Sequence, residues 1–326
     1  MRRREFIAGL GGAVTWPVVA RGQQHQDAPL IGFLSSRSPE DSAPHLAGFL
    51  RGLKAFGFVD GQTAVVEYRW AMGHYDQLPN LASQLVALRP AVIAAPGGTL
   101  SARAAKAATQ SIPVLFVTSD VEREGLVASL NRPGGNVTGV DFMTGVLGGK
   151  RLELLTQLAS TTGTVGLLIN PKGSNPDAEI KDVELAALKH GLHLVVERVS
   201  TDVECDRSFA TLAENGVAGL VVENDPFFDS RRDRLIALAS QHSIPAIYHI
   251  REFPAAGGLM SYGASLVEAY YQMGIQTGRV LKGASVADLP VMRPAKFELV
   301  INLRTAAALG LTIPPTLFAL ADEVIE

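Results

Sequence analysis

Residues 107–117 read AATQSIPVLFV and residues 239–249 read ASQHSIPAIYH, so a Ser-Ile-Pro triplet recurs at Ser111 and Ser243, 132 residues apart. In both places an Ala-rich helical stretch ends, a proline follows, and an unbroken apolar run begins. Proline at the first residue of a strand sacrifices no ladder hydrogen bond. A short run that is apolar on both faces suits a strand buried on both sides in a parallel sheet. The same junction met twice at this spacing points to two lobes of one topology.

Working outward, PLIGFLSS (29–36), TAVVEYRW (63–70) and AVIAAPGG (91–98) precede the first junction, separated by stretches with helical spacing. TVGLLINP (164–171), LHLVVERV (192–199) and VAGLVVENDP (217–226) precede the second in the same way. Strand–helix alternation of this kind builds βαβ units around parallel sheets. The sequence therefore predicts an α/β protein with two Rossmann-like lobes. GGLMSYG (257–263), SLVEAYYQMGIQTGRVLKG (265–283) and FELVINL (297–303) are too few pieces for a third core and should complete the existing sheets. The backbone would cross between lobes near 140–145, 250–257 and 285–295, which makes a multi-strand hinge. The expected partition is 28–142 plus 257–285 for lobe 1, and 143–256 plus 286–326 for lobe 2.

The N-terminus reads differently. Arg2, Arg3 and Arg4 precede an apolar stretch from Phe6 to Ala20 that contains three Gly and one Pro. Such a stretch is too short for a bilayer-spanning helix, which needs about 20 residues. With small residues before a plausible cut after Ala20 or Gly22, residues 1–22 have the parts of an export signal. Arg3-Arg4-Glu5-Phe6-Ile7 resembles a twin-arginine address, although Arg2 stands where that pattern prefers Ser or Thr. The expectation is a periplasmic protein with no membrane anchor, carrying a net charge of −6 once 1–22 is removed from a chain of net −3. No long single-sign run supports nucleic-acid binding, and the single cysteine, Cys205, cannot form an internal disulfide.

In open parallel sheets, ligands bind beyond the carboxyl ends of the strands. The residues that follow the predicted strands are therefore the candidate ligand-binding set. They are Ser35, Ser36, Trp70, Gly97, Gly98, Thr99, Thr118 and Asp120 in the first half, and Asn170, Asn224, Asp225, Tyr248 and Tyr262 in the second. Gly97-Gly98-Thr99 is the sharpest signal, because glycines admit a ligand to the backbone and the following helix start attracts an anion. The same triplet also serves as an ordinary βα turn with a helix cap. Asp120 or Asp225 suits a ligand amine, and Trp70, Tyr248 or Tyr262 suits stacking. Motifs for a nucleophile elbow, a P-loop or a dinucleotide turn are missing, so no enzyme, catalytic residue, cofactor or metal is expected.

Longer segments carry a likeness: MRRREFI, IGFLSS, VEYRWAMGHYDQLPNLA, LVASLNRPGGNVTGV, GKRLELL, DPFFDSRRDRLIALA, GGLMSYG and KFELVINLRTAAALGLTIPP. Through them the chain resembles the ABC transporter substrate-binding proteins of the TrpX-like family, within the type 1 periplasmic-binding fold. The resemblance implies an interlobe cleft and, as partners, a small-molecule ligand and ABC permease and ATPase subunits. It also implies ligands of amino-acid kind, as some relatives bind tryptophan or tyrosine. The sequence departs from the family pattern at AAPGGT (94–99) and VTSDVER (117–123). A sensory partner that presents its ligand to a chemoreceptor or kinase would use the same cleft. A periplasmic enzyme on this fold would need a paired base and nucleophile.

Overall fold

The computed structural model describes residues 28–143, 147–158 and 163–326; the export segment expected at 1–22 lies outside them. In chain order the first lobe comprises β1 (Leu30–Ser35), α1 (Pro39–Lys54), β2 (Val65–Trp70), α2 (Leu78–Ala87), β3 (Val92–Ala95), α3 (Thr99–Ala108), β4 (Val114–Thr118) and β5 (Val137–Asp141). The second opens with α4 (Gly148–Leu158), β6 (Thr164–Ile169), α5 (Pro176–Lys189), β7 (His193–Arg198), α6 (Asp202–Glu214) and β8 (Leu220–Val222). It continues through α7 (Pro226–Asp229), α8 (Arg232–Gln241), β9 (Ala246–Tyr248), α9 (Glu252–Ala255) and β10 (Met260–Gly263). The chain ends with α10 (Leu266–Leu281), β11 (Glu298–Asn302), α11 (Leu303–Ala308), α12 (Pro315–Leu320) and β12 (Glu323–Ile325).

The two sheets share one strand order. The first runs β2-β1-β3-β4-β5, and the second runs β7-β6-β8-β9-β10 with β11 and β12 added beyond β10. Counted within each lobe, both are order 2-1-3-4-5, all parallel apart from the antiparallel β10–β11 pair. The two Ser-Ile-Pro junctions fall at equivalent places, before β4 and before β9. Each proline gives its carbonyl oxygen to the neighbouring strand: Ile93 N–H donates to Pro113 O and Leu220 N–H to Pro245 O, both at 2.8 Å.

The partition differs from the sequence expectation at the tail. Residues 257–263, expected in lobe 1, end in β10, which pairs in parallel with β9 inside the second sheet. The reason is local. Residues 250–257 fold back through α9, so the next apolar run emerges beside β9 rather than across the hinge. The crossing falls instead between β10 and α10, and α10 lies on α1. Glycines allow that close approach: a methyl on Gly52 would stand 2.3 Å from Tyr271 O, and one on Gly274 would stand 2.2 Å from Phe49 O. Residues 289–292, expected in lobe 2, also stay with the first. Thr138 Oγ1 donates to Leu289 O at 2.7 Å, and Met292 N–H donates to Gly139 O at 2.9 Å.

The first-lobe core is built on Phe33, which is fully buried with ring centroids 5.5 Å from Phe49, 5.4 Å from Tyr68 and 5.1 Å from Trp70. Burying one such side chain stabilises the fold by about 1.5–3 kcal/mol. Among the described residues, no helix is long and apolar enough to cross a membrane.

Candidate functional site in the interlobe cleft

The carboxyl ends of the two sheets face each other across a narrow cleft that encloses about 90 Å³ and is lined by residues of both lobes. On the first-lobe wall, β3 runs into Gly97 and Gly98, and α3 begins at Thr99. Gly97 is required there, because a methyl would stand 2.3 Å from Ser36 N and 2.7 Å from Ser35 Cα. Gly98 adopts φ +85°, which glycine tolerates and other residues rarely do, and faces the Pro226 ring across the cleft. Around the ends of β3 and β4 this wall carries uncharged hydroxyls and backbone groups. Ser36 Oγ donates to Gly97 O at 2.5 Å, Thr99 and Thr118 join hydroxyls at 2.5 Å, and the first residues of α3, Thr99 and Leu100, line the cleft.

The second-lobe wall is acidic. Glu223 and Asp225 follow β8, and Glu179 projects from the first turn of α5. Asn170, after β6, ties the first two together: its N–H donates to Glu223 Oε2 at 2.6 Å and its Nδ2 to Asp225 Oδ1 at 2.9 Å. Asp225 caps α7 through the Phe227 N–H at 2.9 Å. Burial raises the Asp225 carboxyl against the pull of hydrogen bonds from Tyr75 and Asn170. Burial, reinforced by Asp225 and Glu179, holds Glu223 well above the usual carboxylate range. Glu179 is pushed up to about 7 by burial, although Arg151 binds it at 2.7 Å and opposes the shift. At the cleft's first-lobe end, burial likewise raises Asp120 and Glu124.

Two first-lobe side chains reach across and grip both ends of α7. Tyr75 OH donates to Asp225 Oδ1 at 2.6 Å. Arg37 forms a buried ion pair with Asp229, whose other oxygen lies 3.1 Å from His249 Nε2. Burial alone would raise the Asp229 carboxyl, but Arg37 and then His249 outweigh it and hold it below the usual range. A third bridge joins His45 Nε2 to Glu252 Oε1 at 3.1 Å.

The sequence-predicted residues divide. Ser36, Gly97, Gly98, Thr99, Thr118, Asp120, Asn224 and Asp225 line the cleft. Ser35 and Asn170 stand just behind it; Ser35 Oγ accepts from Arg37 N–H at 3.2 Å. The three aromatics are elsewhere. Trp70 packs with Phe33 and Tyr68 on the core face of edge strand β2. Tyr248 is fully buried and stacks on Phe253 at 4.1 Å, and Tyr262 packs by Phe297 at 6.1 Å. In each case strand alternation turns the ring onto a sheet face packed against core residues and away from the cleft. The cleft instead takes in Arg37, Tyr75, Glu124, Phe142, Glu179 and Glu223. Glu223 directly follows β8 and Arg37 comes two residues after the end of β1, so the strand-end rule reaches them. Tyr75 sits in a short 3₁₀ turn and Glu179 in a helix, where no sequence pattern marks them.

Several known proteins share this architecture. A curated tyrosine-binding protein of Clostridioides difficile (strain R20291) is 29% identical over 266 residues, covering 81% of this chain and 76% of that protein. A crystal structure from Streptococcus pneumonia, described as an ABC domain in complex with L-Trp, superposes with a TM-score of 0.83 at 26% identity, covering 91% of this chain and 99% of the other. The ligand-free, open structure of a Clostridium difficile substrate binding protein with adhesive properties shows the same identity and coverage, 26%, 91% and 99%, but a TM-score of only 0.65. The lobes here are therefore set more nearly as in the L-Trp complex, in keeping with the side chains that bridge them. The sequence profile described as ABC transporter substrate binding protein matches residues 40–325, and the chain belongs to that family.

Proposed function

We propose that this protein is the exported receptor of an ABC importer and that it captures an amino-acid-like ligand between its lobes. The observation that carries the reading is the opposition of the two cleft walls. The first offers hydroxyls and the start of α3, where a carboxylate gains from the aligned peptide dipoles. The second offers the Glu223 and Asp225 carboxylates, which suit an ammonium group. An α-amino acid carries both charges about one residue's width apart, so each end meets its complement only when the lobes are together. A ligand shifts an open–closed equilibrium only through contacts it makes better in one state, and this arrangement supplies them. The tyrosine- and L-Trp-binding relatives support the same ligand class. Arg2 to Arg4 followed by the apolar stretch supports export, and the partners would then be a permease and an ATPase.

The experiment is a thermal-shift screen of the purified protein against the common amino acids and aromatic acids. The reading predicts that amino acids with free α-ammonium and α-carboxylate groups raise the melting temperature, while their N-acetyl and amide derivatives do not. Equal response to the derivatives, or flat curves throughout, contradicts it.

A further inference from the structure

Counting ionisable groups around the cleft leaves two acids that a simple zwitterion does not match. Arg37 is paired with Asp229, Glu124 with Arg103 at 2.5 Å and Glu179 with Arg151 at 2.7 Å. Asp120 has Arg123 at 4.0 Å near the mouth. Among the described residues, neither Glu223 nor Asp225 forms an ion pair, and they stand two positions apart on one loop, both bound to Asn170. Their inner oxygens are occupied: Asp225 Oδ1 accepts from Tyr75, Asn170 and Phe227, and Glu223 Oε2 accepts from Asn170. Their outer oxygens converge over Gly173. A methyl on that glycine would stand 3.1 Å from Asp225 Oδ2, 3.1 Å from the Asn170 carbonyl oxygen and 3.6 Å from Glu223 Oε1. The Asn170 carbonyl already accepts from Gly173 N–H at 3.0 Å, so the two outer carboxyl oxygens are the acceptors left beside this turn.

We infer that the preferred ligand carries a second basic group in addition to its α-ammonium, and that Glu223 and Asp225 receive the two cations between them. The inference rests on the amino-acid reading above and narrows it. One α-ammonium neutralises one carboxylate, while the ligand's own carboxylate goes to the first-lobe wall. The remaining buried carboxyl, raised by its surroundings, then keeps its proton. A ligand with a basic side group gives that carboxyl a cation to ionise against and gains a charge-assisted hydrogen bond. The lining agrees. Its aromatic residues are Tyr75 and Phe142, and the Tyr75 hydroxyl is already committed to Asp225, so the cleft offers more to a cation than to an extended aromatic surface.

The test compares two ligands that differ by one group, L-tyrosine and 4-(aminomethyl)-L-phenylalanine, by titration calorimetry on the purified protein. The inference predicts that the aminomethyl compound binds tighter by about tenfold or more, the value of one charged hydrogen bond. It also predicts that Glu223→Gln removes most of that difference. Equal affinity, or preference for L-tyrosine, overturns the inference and leaves the amino-acid reading standing. Failure of both ligands to bind overturns the inference, and a flat thermal-shift screen beside it overturns the amino-acid reading as well. The wild-type comparison decides the matter even where Glu223→Gln does not fold. A folded Glu223→Gln protein that keeps the full difference removes Glu223 from the account.

Discussion

At the third strand of each lobe the fold is the same and the chemistry is opposite. After β3 the chain reads Pro96-Gly97-Gly98-Thr99; after β8, at the matching place in the order 2-1-3-4-5, it reads Glu223-Asn224-Asp225-Pro226. Both segments turn from a parallel strand into a helix. One strips away side chains so that backbone groups and hydroxyls face the cleft. The other adds two carboxylates and steadies them with Asn170 and the α7 cap. The repeated topology supplies two similar platforms, and the few residues beyond each strand decide the charge that each presents. A cleft with an uncharged hydrogen-bonding wall and an acidic wall can thus arise from one repeated plan, as long as the two loops diverge.

The comparison can be broken most forcefully through Arg37, which belongs to the first wall but is spent on the second. Replacing it by methionine leaves Asp229 buried with His249 alone beside it when the lobes are together. Removing one member of a buried pair costs about 3–5 kcal/mol, and here the cost falls on the closed arrangement. Arg37→Met should therefore weaken amino-acid binding by about a hundredfold or more, measured by calorimetry, with the fold retained by circular dichroism. An unchanged affinity would mean that the Arg37–Asp229 bridge does not contribute to closure.

Thr99→Ala probes the neutral wall more gently. It removes the hydroxyl bonded to Thr118 but leaves the α3 backbone in place. A loss of about three- to tenfold in affinity is expected, the value of one neutral hydrogen bond. No change would move the carboxylate subsite away from the start of α3.

The acidic wall should show itself in the ligand-free protein. Glu179 is raised from its ordinary 4.5 to about 7, first by burial, so between these values the folded state holds a proton that the unfolded state has released. Stability then falls as pH rises through that window, and the raised Glu223 and Asp225 act in the same sense. The lowered Asp229 opposes this only at lower pH, below its ordinary carboxyl value of 3.8. The melting temperature of the ligand-free protein should therefore be a few degrees lower at about pH 7.5 than at about pH 5.5. Glu179→Gln should flatten the slope. A melting temperature that rises over the same interval would contradict the burial of these acids.

The smallest effect is expected at Tyr248. Among the described residues its buried hydroxyl has no hydrogen-bond partner, so Tyr248→Phe should leave ligand affinity unchanged and shift stability by no more than about 1 kcal/mol, toward stabilisation. A clear loss of affinity would return Tyr248 to the cleft.

These residues also show how far the sequence could be read. The lobes, their parallel strands and the cleft-facing glycines were legible because they follow from apolar runs, breakers and the strand-end rule. The failures have two physical causes. Trp70, Tyr248 and Tyr262 lie at or near strand ends, but alternation along the strand aims their rings at the core, and sequence position alone does not tell one face from the other. Tyr75 and Glu179 enter the cleft from a turn and a helix that only tertiary packing brings to the sheet ends. The tail shows a third kind of miss. Its elements were recognisable, but whether GGLMSYG joins the first sheet or the second depends on α9 folding back beside β9. That is a packing decision, with no periodicity to announce it.

The central claim is that an amino acid held between a donor wall and an acidic wall keeps the two lobes together. Small-angle X-ray scattering of the purified protein, with and without saturating 4-(aminomethyl)-L-phenylalanine or L-tyrosine, tests it most directly. The account predicts a smaller radius of gyration and a scattering curve matching the structure described here when the ligand is present. It also predicts a more open average without ligand, and for Arg37→Met an open average even when ligand is added. Scattering that is identical with and without a ligand shown by calorimetry to bind would contradict it.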